Sequence, residues 1–553
     1  MSAGIDPDLA DAAAAWSAQD PDPDTRGELA GLLSQIESGS QEALAELTGA
    51  FAGRLQFGTA GLRGAIGTGP NRMNRVVVGQ AAAGLAAYLL DQGLAGGKVI
   101  IGHDARHKSD VFARDSAEIF AAAGFEALLV PVPTPTPVVA YGIRHFGCVA
   151  GVVVTASHNP PQDNGYKVYL GDGSQIVPPA DADIAAQIDQ VAARDLSEVP
   201  RSNGYTEIGD ELVEAYLDRV VSLVPADAPR GLDWVYTPMH GVGGRIVAAA
   251  VERAGFAGAE VVPQQAEPDP DFPTVGFPNP EEPGATDLAL ALAQDTDADL
   301  VVANDPDADR CAIAAPIGGA WRMLRGDELG ALLGDDALRR GTEGTYACSV
   351  VSSSLLAAMA AEHGQPFATT LTGFKWIGRV PGLAFGYEEA IGYCVDPQAV
   401  PDKDGISALI RILTLAAGLK AEGRTVADRL DEIATAYGVY ETDQLSVRVA
   451  DLTLISDAMA RLRAQPPTHL LGQPVQVIDL AQGTDELPPT DGVLLAGELI
   501  KVVARPSGTE PKLKCYLEAR VPLSQAISLD DDRQRAREMI IDLRHEMSRA
   551  LGL

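Results

Sequence analysis

Asp305, Asp307 and Asp309 alternate in the stretch NDPDADR, directly after the apolar run LVVA. An extended backbone there gathers three carboxylates beyond the end of one strand. Like charges so close repel unless something lies between them. A hard divalent cation such as Mg²⁺ takes oxygen ligands of this kind. An EF-hand loop also opens on alternating acids, but it needs glycine sixth and glutamate twelfth. Those places hold Arg310 and Pro316, which excludes it. The alternative to a metal site is a solvated acidic turn.

The stretch GVVVTASHNPPQDNGYKVY, residues 151–169, poses a second chemical question. Four residues after Gly151 the chain turns polar, presenting Ser157, His158, Asn159, Asn164 and Lys167. A serine hydroxyl is a weak nucleophile alone, and His158 and Lys167 supply basic groups beside it. No Gly-x-Ser-x-Gly elbow is present, so an α/β-hydrolase site is disfavoured. Taken alone, Ser157 reads equally as a turn hydroxyl and His158 as a structural hydrogen bonder.

A third stretch, VVARPSGTEPKLK, gathers Arg505, Ser507, Gly508, Thr509 and Lys512 around a glycine turn. A guanidinium, two hydroxyls, backbone N–H groups and an amine suit a phosphate dianion. The alternative is an ordinary hairpin turn. Weaker signals are Arg63 in FGTAGLRG, Lys375 in TGFKW, and Glu388 and Glu389 in FGYEEAIGY. The last pair could accept hydrogen bonds from sugar hydroxyls.

The chain has 553 residues, 46% of them hydrophobic, with 42 basic against 76 acidic side chains and a net charge of −34. Such a chain repels nucleic acid and anionic membranes, so neither is an expected partner. Any phosphate site must be built locally from clustered cations and N–H groups. The five cysteines are widely spaced without a CxxC pair, which argues against a disulfide framework or a zinc knuckle. The N-terminus lacks a signal-peptide pattern, and Val76 to Leu90 is too short to span a bilayer. A cytoplasmic location is expected.

These loops need strands and helices to hold them. Apolar runs at 98–104, 126–132 and 148–156 alternate with helical patterns at 109–125, which Ser109 or Asp110 would cap, and at 137–146. Leu85, Leu89 and Leu90 share one helical face. Continuous apolar strands between helices indicate a sheet covered on both faces. The pattern recurs at 233–244, 297–310 and 345–364. The class is therefore α/β: three successive mixed α/β domains near 1–205, 206–318 and 319–435. From 436 to 553 strands are separated by turns, and a helix follows in which Ala536, Met539, Ile540, Leu543, Met547 and Leu551 recur at helical spacing. That segment predicts a C-terminal α+β domain. In open α/β sheets ligands gather beyond the carboxyl ends of strands, where the serine, acidic and TGFKW loops lie.

Taken together and in this order, TASHNP, DPDADR, TGFKW, GYEEAIGY and RPSGTEPK resemble the α-D-phosphohexomutase superfamily over nearly the whole chain. FGTAGLRG and TPMHGVGG are most similar to the branch holding phosphoglucomutase 2, the phosphopentomutases and related bacterial phosphoglucomutases. The resemblance implies four domains around a central cleft, with the serine loop in the first, the metal loop in the second, the sugar loop in the third and the phosphate loop in the fourth. It implies Ser157 as phosphoryl carrier, and Asp305, Asp307 and Asp309 with a phosphoserine oxygen as Mg²⁺ ligands. Arg63 and Arg310 would hold the transferring phosphate. Lys375 would be a general acid or base, with Lys167 and His158 supporting. Glu388 would bind the sugar, and Arg505, Ser507, Gly508, Thr509 and Lys512 the distal phosphate.

The implied reaction interconverts glucose 1-phosphate and glucose 6-phosphate, with glucose 1,6-bisphosphate as activator, in a monomer or homodimer. DPDADR departs from the family's DGDGDR by Pro306 and Ala308. Ala390 stands where the family's GEES loop has serine, which removes a hydroxyl partner for a hexose. Ribose or deoxyribose 1-phosphate is therefore an alternative substrate, and mannose phosphate another. A phosphatase forming aspartyl phosphate on Asp305 or Asp307 would leave the serine and phosphate loops unexplained. A non-catalytic sugar-phosphate binder would not need Ser157, the triad and Lys375 together.

Overall fold

The computed structural model describes residues 5–449, 453–507, 512–524 and 528–552. The chain forms two compact units. The first comprises Met1–Ala314 with Gln398–Arg411, and the second Ala315–Pro397 with Ile412–Leu553.

The first unit contains two sheets. Apolar runs give β1 (Leu62–Ala65), β2 (Lys98–His103), β3 (Glu126–Leu129), β4 (Ala150–Val154), β5 (Asp163–Leu170) and β6 (Thr206–Glu207), in the order β1-β5-β4-β2-β3-β6. The strands from β4 to β6 are parallel, while β5 and β1 return antiparallel. All five residues of β4 are buried, as a run without polar alternation requires when helices cover both faces. The helix Arg75–Asp91 is capped by Asn74, whose side chain accepts from the Val77 N–H. It buries Leu85 and Leu89, but Leu90 is 42% exposed and lies off the expected face.

The helix Ser109–Ala122 has Lys108 at its N-cap, in the left-handed region at φ 65°, and neither Ser109 nor Asp110 caps it. The Ser109 hydroxyl instead donates to Asp104 Oδ1 at 2.7 Å and accepts from Asn164 Nδ2 at 2.9 Å, so a side-chain amide rather than a helix N–H holds its oxygen. Three N-terminal helices, Pro7–Gln19, Pro23–Glu37 and Gln41–Ala50, set Trp16, Leu29, Leu32 and Leu47 into the same core. The second sheet of this unit holds β7 (Trp234–Thr237), β8 (Glu260–Val261), β9 (Leu300–Asn304) and β10 (Cys311–Ile317), ordered β10-β9-β7-β8. Here β9, β7 and β8 are parallel and β10 folds back antiparallel on β9.

The second unit begins with the short β11 (Ala320–Met323). It then forms β12 (Thr345–Ser349), β13 (Phe367–Thr370), β14 (Leu383–Glu388) and β15 (Gly392–Cys394), ordered β13-β12-β14-β15. Its C-terminal part is antiparallel. After β16 (Val439–Arg448) come a two-strand hairpin of β17 (His469–Leu470) and β18 (Gln473–Pro474), then β19 (Gln476–Asp479), β20 (Val493–Ala496), β21 (Ile500–Pro506) and β22 (Lys512–Val521). The main sheet runs β16-β22-β21-β20-β19. The helix Leu529–Leu551 buries Ala536, Ile540, Leu543, Met547 and Leu551 against it, the stripe its spacing predicts. A second helix, Thr453–Ala464, adds Ile455, Ala458, Met459 and Leu462 to that core, where the sequence pattern suggested only strands and turns. All five cysteines are buried and none forms a disulfide. No helix among the described residues is long and apolar enough to cross a membrane.

Candidate active site

The buried strand β4 ends at Val154, and the next residues turn sharply. The Thr155 hydroxyl accepts the Ser157 N–H at 2.9 Å, and the Asn159 N–H bonds the Ala156 carbonyl at 3.1 Å. Ser157 takes φ 53°, a left-handed conformation that costs a non-glycine residue roughly 1–2 kcal/mol. The return strand β5 pairs Lys167 with Val153, bringing the lysine back beside the turn. On the neighbouring β1, Arg63 lies opposite Gly165 and donates from Nη1 to Asn159 Oδ1 at 3.2 Å. Gly61, ahead of it, has φ 73°, and any Cβ there would collide with the Tyr166 carbonyl.

Beyond β9 the chain presents Asp305, Asp307 and Asp309, all buried. One carboxylate oxygen from each lies within 4.8 Å of the others. Asp307 Oδ1 and Asp309 Oδ1 are buried without a hydrogen-bond partner. Orphaned buried carboxylate oxygens in a converging set fit a hard divalent cation. The TPMHGVGG turn after β7 braces this loop. The Val242 N–H donates to the Pro306 carbonyl at 2.8 Å, and Tyr236 donates to Asn304 Oδ1 at 2.9 Å. Asn304 Nδ2 in turn reaches the Arg310 carbonyl at 2.6 Å.

The serine and acidic loops meet. Ser157 Oγ donates to Asp305 Oδ2 at 2.8 Å and lies 3.2 Å from His158 Nδ1. Lys167 Nζ reaches Asp307 Oδ2 at 2.6 Å and Asp309 Oδ2 at 2.8 Å. Arg310 Nε stands 3.8 Å from Asp309 Oδ1 and 4.0 Å from Asp305 Oδ2.

Environment separates these groups. Burial, and then Asp307 and Asp309, hold the Asp305 carboxyl well above its ordinary pKa. Burial also opposes ionisation of Asp309, but Lys167, Lys403 and Arg310 outweigh it and push that pKa down. Burial opposes the charge on Lys167 too, yet Asp307 and Asp309 raise its pKa, so it stays a cation. Burial, and then the charges of Arg310 and Arg63, push His158 well below its ordinary value, so its imidazole is neutral near pH 7.

Three residues that the sequence reading missed belong to this cluster. Thr136 donates from Oγ1 to Asp307 Oδ2 at 2.6 Å. Lys403 Nζ lies 3.4 Å from Asp309 Oδ2. Arg106 binds backbone carbonyls of the serine loop, at Ser157 with 2.7 Å and Pro160 with 2.8 Å. Only Arg106 had a local signal, since it follows the apolar run that forms β2.

The other predicted residues lie in the second unit. Arg505 Nη1 donates to Thr372 Oγ1 at 2.6 Å, joining the end of β21 to the start of TGFKW. The Ser507 N–H bonds the Lys512 carbonyl at 2.8 Å. Gly508 and Thr509 lie outside the described residues. Lys375 sits in the one-turn helix Phe374–Ile377, entered through Gly373 at φ 104°. Glu388 ends β14 and is buried. Glu389 Oε2 accepts from the Ser349 hydroxyl at 3.0 Å and the Ser352 hydroxyl at 3.1 Å, an arrangement that ties it to the serine-rich turn after β12.

Comparison with known proteins bears on all these loops. Residues 54–195, 214–318 and 325–437 match the alpha/beta/alpha domains I, II and III of phosphoglucomutase/phosphomannomutase, and residues 481–535 match its C-terminal domain. The "Probable phosphomannomutase" of Haemophilus influenzae is 50% identical over 459 residues, covering 81% of this chain and 93% of that one. The "Probable phosphoribomutase" of Schizosaccharomyces pombe is 37% identical over 592 residues, covering 97% of each. The "Phosphoglucomutase" of Staphylococcus epidermidis is 34% identical over 498 residues, covering 84% of this chain and 90% of that one. With its domains matched in order and its serine and acidic loops joined, the chain belongs to the phosphoglucomutase/phosphomannomutase family of phosphomutase enzymes, within the α-D-phosphohexomutase superfamily.

Proposed function

We propose that this enzyme interconverts glucose 1-phosphate and glucose 6-phosphate, with Ser157 carrying the phosphoryl group and a bisphosphorylated sugar as intermediate. The observation that carries this reading is the hydrogen bond of Ser157 Oγ to Asp305 Oδ2, 2.8 Å long, beside aspartates that Lys167 and Arg310 also reach. In a chain of charge −34 that local concentration of Arg63, Lys167 and Arg310 suits a phosphate dianion. The segments 1–205, 206–318, 319–435 and 436–553 would be its four domains.

Asp305, Asp307 and Asp309, with an oxygen on phosphorylated Ser157, would hold Mg²⁺, which when bound offsets negative charge on the transferring phosphoryl group. The protein's own residues do the rest. A free hydroxyl of the sugar monophosphate attacks phosphorus, the new P–O bond forms, and the bond to Ser157 Oγ breaks. The hydroxyl proton leaves to a base, and Lys375 is assigned that role by the family resemblance. Arg63 and Arg310 face the charge that spreads over the phosphoryl oxygens. Lys167, held as a cation by two aspartates, acts as a fixed charge rather than a base. Neutral His158 can give or take a proton at Nδ1, 3.2 Å from Oγ. The bisphosphate then returns its other phosphoryl group to Ser157, and glucose 1,6-bisphosphate would serve as activator. Arg505, Ser507, Gly508, Thr509 and Lys512 would hold the phosphate not being transferred, and Glu388 and Glu389 belong to the sugar loop.

A second reading, a phosphopentomutase, is favoured by Ala390, which removes a hydroxyl from that loop, and by the likeness to a phosphoribomutase over 97% of both chains. The test is kcat/KM for the 1-phosphates of glucose, mannose, ribose and deoxyribose, with Mg²⁺ and glucose 1,6-bisphosphate present. The proposal expects glucose to lead with measurable pentose turnover. A pentose phosphate preferred over glucose would overturn it in favour of the second reading.

A further inference from the structure

Arg106 stands one step behind the chemistry. Its side chain is 1% exposed and its Nε lies 3.3 Å from Asp104 Oδ2. The guanidinium spreads over the serine loop. Nη2 donates to the carbonyls of Ser157 at 2.7 Å and Asn159 at 2.5 Å, and Nη1 to those of Pro160 at 2.8 Å and Asp163 at 3.1 Å. Its carbon Cζ lies 4.9 Å from the centre of the Phe272 ring. Asp104 is itself fixed by the Ser109 hydroxyl at 2.7 Å and the Arg106 N–H at 3.0 Å.

A loop that holds a serine at φ 53° stores strain, and something must over-determine it. Four carbonyls aimed at one guanidinium do so. Turning Ser157 out of the left-handed region would swing its carbonyl off Nη2 and break a bond to a buried charge. Only a planar fork of donors can bind four carbonyls spread along the loop. An ammonium has three donors on one atom and cannot span them.

We propose that Arg106 is a positioning residue for phosphoryl transfer, clamping the loop so that Ser157 Oγ stays aimed at the acidic triad. The inference rests on Ser157 being the phosphoryl carrier. Arg106 touches no substrate in this account, so its loss should slow turnover without weakening binding.

The test is Arg106→Lys, which keeps the charge opposite Asp104 and removes the fork. In the full chain, kcat should fall about 10- to 100-fold, the scale of small misplacements of reacting groups. KM should stay within about twofold, which a generally loosened fold would not preserve. Hydrogen exchange of the peptide covering residues 155–164 should quicken while the rest of the first unit keeps its protection. Unchanged kcat, a rise in KM matching the fall in kcat, or lost protection throughout the unit would each overturn the proposal. If the wild type turned over no sugar phosphate, the functional reading would fail, and the exchange measurement would still decide whether Arg106 clamps the loop.

Discussion

Lys167→Met tests the electrostatics of the acidic triad. Lys167 Nζ makes buried contacts of 2.6 Å with Asp307 and 2.8 Å with Asp309. Removing one partner of a buried ion pair typically costs about 3–5 kcal/mol, because the remaining charge is left uncompensated. Asp309 keeps Lys403 at 3.4 Å and Arg310 at 3.8 Å, and Asp307 keeps the Thr136 hydroxyl, so the lower end, about 3 kcal/mol, is expected. The assay is denaturant unfolding of the full chain in a chelator and again in excess Mg²⁺. At 100 times its dissociation constant a ligand stabilises the folded state by about 2.7 kcal/mol. A cation among the aspartates also replaces the charge that Lys167 supplied. The variant should therefore gain more from Mg²⁺ than the wild type, and the gap should close to within about 1 kcal/mol. A variant as stable as the wild type in chelator would refute the reasoning, as would one that Mg²⁺ fails to stabilise.

Other outcomes follow from the same geometry. Arg505→Ala should lose a charge-assisted pair to phosphate worth about 1.5–3 kcal/mol, raising KM roughly 10- to 100-fold with a smaller change in kcat; an unchanged KM for a monophosphate would count against the distal-phosphate assignment. Ala390→Ser should shift the ratio of kcat/KM toward hexose over pentose phosphates, because a restored hydroxyl rewards substrates that can pair with it; a ratio that stays put or moves toward pentose removes Ala390 from the specificity argument. Glu518 is buried, which opposes its charge, but Lys501, Arg520 and the Ser354 donors outweigh burial and lower its pKa. Its stabilising effect is thus present above the unfolded value near about 4.3 and is lost as pH falls through the folded value. Unfolding curves of wild type and Glu518→Gln should differ at pH 7 and converge in acid, and a gap that widened in acid would contradict the assignment.

What the sequence made legible was chemistry held close in the chain. Asp305, Asp307 and Asp309 share one loop, and Ser157, His158 and Lys167 share one strand-turn-strand, so composition and spacing exposed them. Apolar runs marked β2, β4 and β9, whose ends carry the site. Partners brought in by topology were not legible. Thr136 meets Asp307 from 171 positions away, and Lys403 comes from a segment between two stretches of the second unit. The pattern at Ser109 suggests a cap, but its oxygen accepts from Asn164, which the fold brings from 55 positions away. The three N-terminal helices left no chemical signal, since their role is to fill a core.

The central claim is that Ser157 carries the phosphoryl group. Its most direct test is the intact mass of purified protein after incubation with glucose 1,6-bisphosphate and Mg²⁺, followed by peptide mapping. One phosphate should appear, on the peptide containing Ser157, and pass to added glucose 1-phosphate as turnover proceeds. Ser157→Ala should fold normally, take up no phosphate and show no mutase turnover. Phosphate found on Asp305, or full turnover by the alanine variant, would contradict the account.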